Sequence, residues 1–520
     1  MPRHSPAARC RRSSWPASRE TRVPPHRSGL SCGYYRCLIP ATAQSVNSST
    51  FGLGLGLAAL TATLLLEPPD GCTIEAWRTA GVMALMAAWW ATEALPLPVT
   101  ALVPLAVLPW LGTTTAAELA GGYGNPTLFL ILGGFLLALA MDRCNLHRRI
   151  AYTIVARASG HPQGLVFGMM SATGLVSMWV SNTSSTLMML PVALSVVAIV
   201  APDPAGADRS QRNFATAAVL GVAYGATIGG LATLVGTPTN ALVVGFMQEN
   251  YGQTISFARW LAFGLPAVLL LMPVAWLVLV RVAFPFQLGA QQEASASVRE
   301  ALIDLGPMAP AEKRVAIVFL ATAAAWVFGP LLRLLPGLAG LSDTSIALLA
   351  GGSLFLIRDG NTAGGALLVG EDLRRIPWDV LLLFGGGLAL AAAIQDSGLS
   401  EVIGRSLAGL SALPLMLLVA AVVTLMIFWT ELNSNVASAA TFLPILAAIA
   451  AGTHYPVLQL IAPAAMAASC AFMLPVGTPP NAIVFASGRV SIRDMIRAGW
   501  YLNLAGIVII TVVASIVLPD

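Results

Sequence analysis

VSNTSSTLMMLP, Val180 to Pro191, and NSNVASAATFLP, Asn433 to Pro444, are two versions of one polar segment, each set in a long apolar run. Ser181 pairs with Ser434, Asn182 with Asn435 and Pro191 with Pro444, always 253 residues apart (434 minus 181). Gly133-Gly134 and Gly386-Gly387 keep the same spacing upstream. Downstream, Gly236-Thr237-Pro238-Thr239-Asn240 answers Gly477-Thr478-Pro479-Pro480-Asn481 at a spacing of 241 (477 minus 236). A longer polar loop in the first half, APDPAGADRSQR, accounts for the difference. The chain is thus an internal duplication of roughly 250 residues, with one S-N-x and one G-T-P-x-N motif per half. So long a period is not that of a solenoid; in an apolar chain it marks a transporter built from two related halves.

Hydrophobic residues make up 57% of the chain and charged residues 10%, which excludes an ordinary soluble protein and predicts a polytopic membrane protein. A hydrocarbon core about 30 Å thick takes about 20 apolar residues per helix. Spans fall near 50–67, 77–95, 98–113, 127–141, 213–246, 258–284, 313–333, 343–357, 379–394, 457–486 and 497–518. The expected fold is therefore all-α, with about 11 transmembrane helices plus two re-entrant helical hairpins at the S-N-x segments.

Basic residues collect on the cytoplasmic side of a membrane. Arg143, Arg148, Arg149, Arg157, the 285–314 loop, Arg374, Arg375, Arg489, Arg493 and Arg497 fall on one side, whereas the loops 67–75 and 396–401 lean acidic or neutral. For the signs to alternate, each S-N-x segment enters and leaves on one side, the first from the cytoplasm and the second from outside. This predicts an inverted two-fold repeat with a cytoplasmic N-terminus. The first half is 48–284, with its hairpin tip at 181–183 and an unwound helix at 236–240. A cytoplasmic loop with room for a surface helix covers 285–312, and the second half is 313–520, with tip 434–436 and unwound helix 477–481.

The net charge of +4 comes from loops and the N-terminus and reads as topology, not as a nucleic-acid surface. Residues 1–47 hold eight arginines against Glu20 and read as a disordered cytoplasmic tail or an overextended start, with an organelle transit peptide as the alternative. The six cysteines show no zinc or thiol-redox spacing.

Irregular backbone at membrane depth is tolerated only where protein or a water-filled cavity satisfies its amides and carbonyls. The plainer alternative for one motif is helix packing through small residues, but four motifs related by one duplication point to a ligand site. No Lys or Arg lies between Gly164 and Val200, and the only charge in 412–451 is Glu431. An anion here has to be balanced by helix N-termini and by bound cations. Unwound carbonyls with Ser, Thr and Asn oxygens are hard ligands that suit Na⁺. Glu431, three residues before Ser434, reads as a brace for the hairpin, a neighbour of the cation site or, less simply, a proton relay.

These residues resemble the divalent anion/sodium symporter family of Na⁺-dependent dicarboxylate, citrate and sulfate carriers, over about residues 77–518. The likeness rests on Ser181-Asn182-Thr183, Ser434-Asn435-Val436, GTPTN at 236–240, GTPPN at 477–481 and the segments FLILGGFLLALA and LLLFGGGLALA. It implies a homodimer whose protomers move a transport part past a scaffold part as an elevator. It implies that Ser181, Asn182, Thr183, Ser434 and Asn435 bind substrate, with Val436, Thr237, Pro238, Thr478 and Pro479 lining the same cavity. One Na⁺ would be held by Ser177, Ser181, Asn182 and the Gly236 carbonyl, and a second by Thr430, the Asn433 carbonyl, Asn435 and the Gly477 carbonyl. Ser177 and Thr430 also match at the spacing of 253 (430 minus 177), so the duplication supports that pair independently.

Val436 stands where carboxylate carriers of the family usually have threonine. The leading expectation is sodium-coupled symport of C4-dicarboxylates such as succinate, malate and fumarate. A sodium-sulfate symporter, a Na⁺-independent exchanger of the same fold and a channel remain the alternatives. An intramembrane enzyme is disfavoured, since neither tip serine has an adjacent base in the sequence. A bacterial inner or plasma membrane is the expected location.

Overall fold

The computed structural model describes residues 46–158, 161–201, 206–289, 292–360, 364–406, 409, 413–453 and 455–518. Most of the Arg-rich tail thus lies outside the described residues. The chain from Asn47 onward forms one compact unit. The described residues are helical apart from turns and one isolated bridge, Arg358 with Ala366.

Six helices are long and apolar enough to cross a bilayer: Ala116–Arg143, Asn182–Val200, Phe257–Ala283, Trp378–Asp396, Asn435–Thr453 and Ile492–Val517. Val46–Leu65 and Ile74–Thr92 open the chain; Thr73 caps the latter by accepting a hydrogen bond from the Ala76 amide. The duplication appears as a repeated order of helices. Pro126–Arg143, Leu146–Arg157, Pro162–Ser177, Asn182–Val200, Arg209–Gly230, Pro238–Tyr251 and Phe257–Leu277 are answered by Trp378–Asp396, Leu399–Ser406, Leu415–Thr430, Asn435–Thr453, Val457–Ser469, Pro479–Ala486 and Ile492–Val517.

Each half contains a hairpin that turns at its S-N-x tip and a helix broken just before its G-T-P-x-N motif. The expected segment 213–246 is Arg209–Gly230 followed by an unwound stretch and Pro238–Tyr251, and 457–486 is divided in the same way. The first arm of each hairpin has 16 residues, a rise of about 24 Å, which is short of a full crossing.

One expected span is corrected. Residues 98–113 do not form a continuous helix but two short ones, Leu97–Thr100 and Val103–Val107, followed by turns with Gly112 in the left-handed region at φ 72. Pro104 and Pro109 supply no amide to an upstream carbonyl, which weakens helix continuity through this stretch.

Close glycine contacts bring helices together. A Cβ on Gly133 would lie 2.6 Å from the Ala347 backbone, and one on Gly225 would lie 2.5 Å from the Met170 carbonyl, which ties Arg209–Gly230 to the first hairpin arm. The loop between the halves carries Gln292–Asp304, packed on Leu146–Arg157 and Asn182–Val200. Arg149 fixes this junction: its Nε donates to the buried Glu312 carboxylate at 2.8 Å and its Nη1 to the Gly306 carbonyl at 3.0 Å. Arg375 pairs with Asp142 at 2.6 Å, and Arg143 pairs with Asp372, linking the end of the Pro126–Arg143 helix to the second half.

Candidate functional site

The two halves interleave at the motifs. The Asn182–Val200 arm packs on Pro479–Ala486 of the second half, and the Asn435–Thr453 arm packs on Pro238–Tyr251 of the first. Each hairpin therefore meets the helix that follows the other half's unwound turn.

At the first tip, Ser181 caps the Asn182–Val200 helix, accepting from the Ser184 amide at 3.2 Å and donating to Ser184 Oγ at 3.0 Å. Ser177 donates from Oγ to Asn182 Oδ1 at 2.6 Å. Gly230 abuts both Asn182 and Gly236: a Cβ there would sit 2.5 Å from Asn182 Oδ1 and 3.2 Å from the Gly236 carbonyl oxygen. Ser177, Asn182 and Gly236 of the expected first cation set thus converge, whereas the Ser181 hydroxyl is engaged as a cap. Thr183 is half-buried beside it.

At the second tip, Thr430 donates to the Ala468 carbonyl at 2.6 Å. With the Asn435 carboxamide oriented by its hydrogen-bond network, its nitrogen lies 2.9 Å from Thr430 Oγ1, 3.1 Å from the Ala468 carbonyl and 3.0 Å from the Gly477 carbonyl. Three oxygens thus surround one end of this amide, and Thr430, Asn435 and Gly477 meet as expected. The Asn433 side chain turns away: oriented in the same way, it donates to the Ala91 carbonyl at 2.7 Å and accepts from the Trp429 indole at 3.3 Å. Ser434 and Val436 flank Asn435, both half-buried.

The unwound turns are held by the asparagines that end the G-T-P-x-N motifs, a role the sequence reading left unassigned. The Asn240 amide donates to the carbonyls of Gly230, Leu231 and Thr233 at 3.1, 3.3 and 2.8 Å. Asn481 does the same for Ala471 and Leu474 at 3.1 and 3.0 Å. Carbonyls freed by the break are thereby satisfied without water. Thr237 and Thr478 are buried, while Pro238 and Pro479 begin the resumed helices, where a missing amide costs nothing. Across the halves, Thr239 Oγ1 and Ser469 Oγ lie 2.7 Å apart, and the buried Tyr224 hydroxyl donates to the Phe472 carbonyl at 2.8 Å.

The halves differ in how the turn's amides are paired. In the first, Leu231 and Ala232 donate to Ile228 and Gly229 of their own helix. In the second, Phe472, Met473 and Leu474 donate to Glu431, with amide distances of 2.8 Å and 2.9 Å to Oε1 and 3.1 Å and 2.9 Å to Oε2, and Asn503 adds a bond of 2.8 Å to Oε1. The buried carboxylate is a brace for the open turn, and a Cβ on Gly477 would lie 3.3 Å from its Oε2. Neither oxygen faces an acceptor in this set.

The chain resembles known proteins along nearly its whole length. Residues 47–518 match the family model described as "Sodium:sulfate symporter transmembrane region". The "Sodium-dependent dicarboxylate transporter SdcS" of Staphylococcus saprophyticus is 38% identical over 472 residues, covering 90% of this chain and 91% of that protein. Its Staphylococcus aureus counterpart (strain bovine RF122 / ET3-1) is 39% identical over 473 residues, with the same coverage. The crystal structure of the Alcanivorax borkumensis YdaH transporter matches with a TM-score of 0.55 at 15% identity, over 90% of this chain and 97% of that one, a likeness of fold alone. With a family match from residue 47 to 518 and relatives above one-third identity, this chain belongs to the sodium:sulfate symporter family of membrane transporters.

Proposed function

We propose that the protein is a secondary active transporter, not an enzyme, that carries C4-dicarboxylates together with Na⁺. The observation that carries this reading is the matched pair Ser177 with Asn182 and Thr430 with Asn435, each next to an unwound turn through Gly236 or Gly477. At the second tip, reversing the Asn435 carboxamide puts its oxygen against Thr430 Oγ1 and two carbonyls, an oxygen cage that is repulsive when empty and favourable around a hard cation. Ser177, Ser181, Asn182 and the Gly236 carbonyl would hold one Na⁺, and Thr430, Asn435 and the carbonyls of Asn433 and Gly477 another.

The anion would lie between the tips, against Ser181, Asn182, Thr183, Ser434 and Asn435. The helices that begin at Asn182 and Asn435 would direct their N-terminal dipoles toward it. With no Lys or Arg in either hairpin segment, bound Na⁺ supplies the remaining countercharge, which is the physical basis for coupling. A homodimer, elevator motion of the hairpin part, a cytoplasmic N-terminus and a bacterial plasma membrane belong to the same reading.

Val436 favours a second reading, a sodium-sulfate symporter, because it removes a hydroxyl that would reach a second carboxylate. The deciding experiment is uptake of labelled succinate into proteoliposomes under an inward Na⁺ gradient, with a K⁺ control and sulfate and citrate as competitors. Saturable, Na⁺-dependent succinate uptake supports the proposal. Preferential competition by sulfate supports the second reading, and Na⁺-independent uptake that needs internal anion would refute both.

A further inference from the structure

The helices that follow the two broken segments run side by side: Phe257–Leu277, continued by a π turn Val278–Ala283, packs along Ile492–Val517. The π turn, which carries Arg281, packs against Ile492–Val517, which carries Arg493 and Arg497. Arg281 on the π turn and Arg493 and Arg497 on the partner helix are all exposed, and Arg497 sits 5.9 Å over the ring of Phe284. Among the described residues no carboxylate forms a salt bridge with any of the three. Asp494, the acid nearest in sequence, is engaged in capping, accepting from the Ser491 amide at 3.1 Å and hydroxyl at 2.6 Å.

Below the cluster the surface turns apolar. C-terminal to Arg493 and Arg497, Trp500, Leu504 and Val508 follow at four-residue spacing and are all exposed, continuing the same side of the helix. Trp500, at the start of this stripe, and its exposed neighbour Tyr501 are of the type that sits at headgroup level. Three unpaired cations above an aromatic belt and an apolar stripe have the polarity profile of one acidic lipid molecule.

We infer that Arg281, Arg493 and Arg497 form a headgroup site for an anionic phospholipid, with one acyl chain lying along the Trp500 to Val508 stripe. Basic pockets between membrane helices take such headgroups, each cation contributing about fivefold in affinity, a contribution that added salt reduces.

The test is native mass spectrometry of the full-length protein offered equal amounts of phosphatidylglycerol and phosphatidylcholine. Wild type should retain the anionic lipid at least tenfold over the zwitterionic one. The triple variant R281Q/R493Q/R497Q should retain both alike, and the triple lysine variant should keep most of the preference. Equal retention by wild type overturns the proposal, as does a triple glutamine variant that keeps its preference or loses only oligomeric state. Should the glutamine variant fail to fold, competition on wild type decides. Displacement of phosphatidylglycerol by inorganic phosphate would assign the cluster to a soluble anion instead, and resistance to it supports the lipid.

Discussion

Substituting Glu431 by glutamine tests whether the second unwound turn depends on a negative charge. The two carboxylate oxygens accept from three backbone amides and from Asn503, and each oxygen faces only donors. An amide in the same place has to turn its NH₂ toward at least one backbone N–H, most easily that of Leu474. Losing one hydrogen bond to a charged group costs about 1.5–3 kcal/mol, and leaving a buried donor unpaired adds about 1–3. We therefore expect Glu431→Gln to destabilise the protein by about 2.5–6 kcal/mol, read as a clear fall in the thermal midpoint of purified protein. Glu431→Ala leaves four donors without a partner and should yield little folded protein. Because Gly477 lies against this carboxylate, the same glutamine variant should raise the Na⁺ concentration for half-maximal uptake, about tenfold for each 1.4 kcal/mol of lost cation binding. A Glu431→Gln protein with wild-type midpoint and wild-type Na⁺ dependence would refute the reasoning, since it would mean that one oxygen carries a proton and that no fixed charge is needed.

Asn182→Ala and Asn435→Ala should each abolish Na⁺-driven uptake while leaving a monodisperse, folded protein by size exclusion; unfolding of either would assign these residues to packing. Val436→Thr should tighten succinate half-saturation by about 0.5–1.5 kcal/mol, roughly two- to tenfold, if the hydroxyl meets a second carboxylate. Asn240→Asp sets a carboxylate against three carbonyls and should lower the thermal midpoint more than Asn240→Ala, a ranking that follows from repulsion and not from size.

The duplication was legible because the same polar strings recur in two apolar runs, and its register supported the pairing of Ser177 with Thr430 that the family resemblance implied. The breaks before Pro238 and Pro479 were equally legible, since the whole Gly-Thr-Pro-x-Asn string interrupts each apolar run, whereas lone prolines such as Pro266 and Pro273 sit inside a continuous helix. What stayed hidden depends on distance along the chain. Glu431 meets amides 41 to 43 residues away, and Tyr224 meets Phe472 across 248 residues, contacts that no local pattern encodes. Asn240 and Asn481 were visible as motif letters, but their task of collecting carbonyls appears only once the turn is folded. The failed span at 98–113 had a local signal in Pro104 and Pro109 that hydropathy alone outweighed.

The interleaving of the hairpins with the opposite half's helices bears on how such a chain arose. Because each S-N-x arm rests on a helix supplied by the other half, one half alone presents two unfinished surfaces. A single-repeat ancestor would have had to work as a pair of copies inserted into the bilayer in opposite senses, each lending the other its missing wall. Fusion into one polypeptide removes the need for two copies to meet and lets the two turns differ, as they do here, where only the second carries an acidic brace.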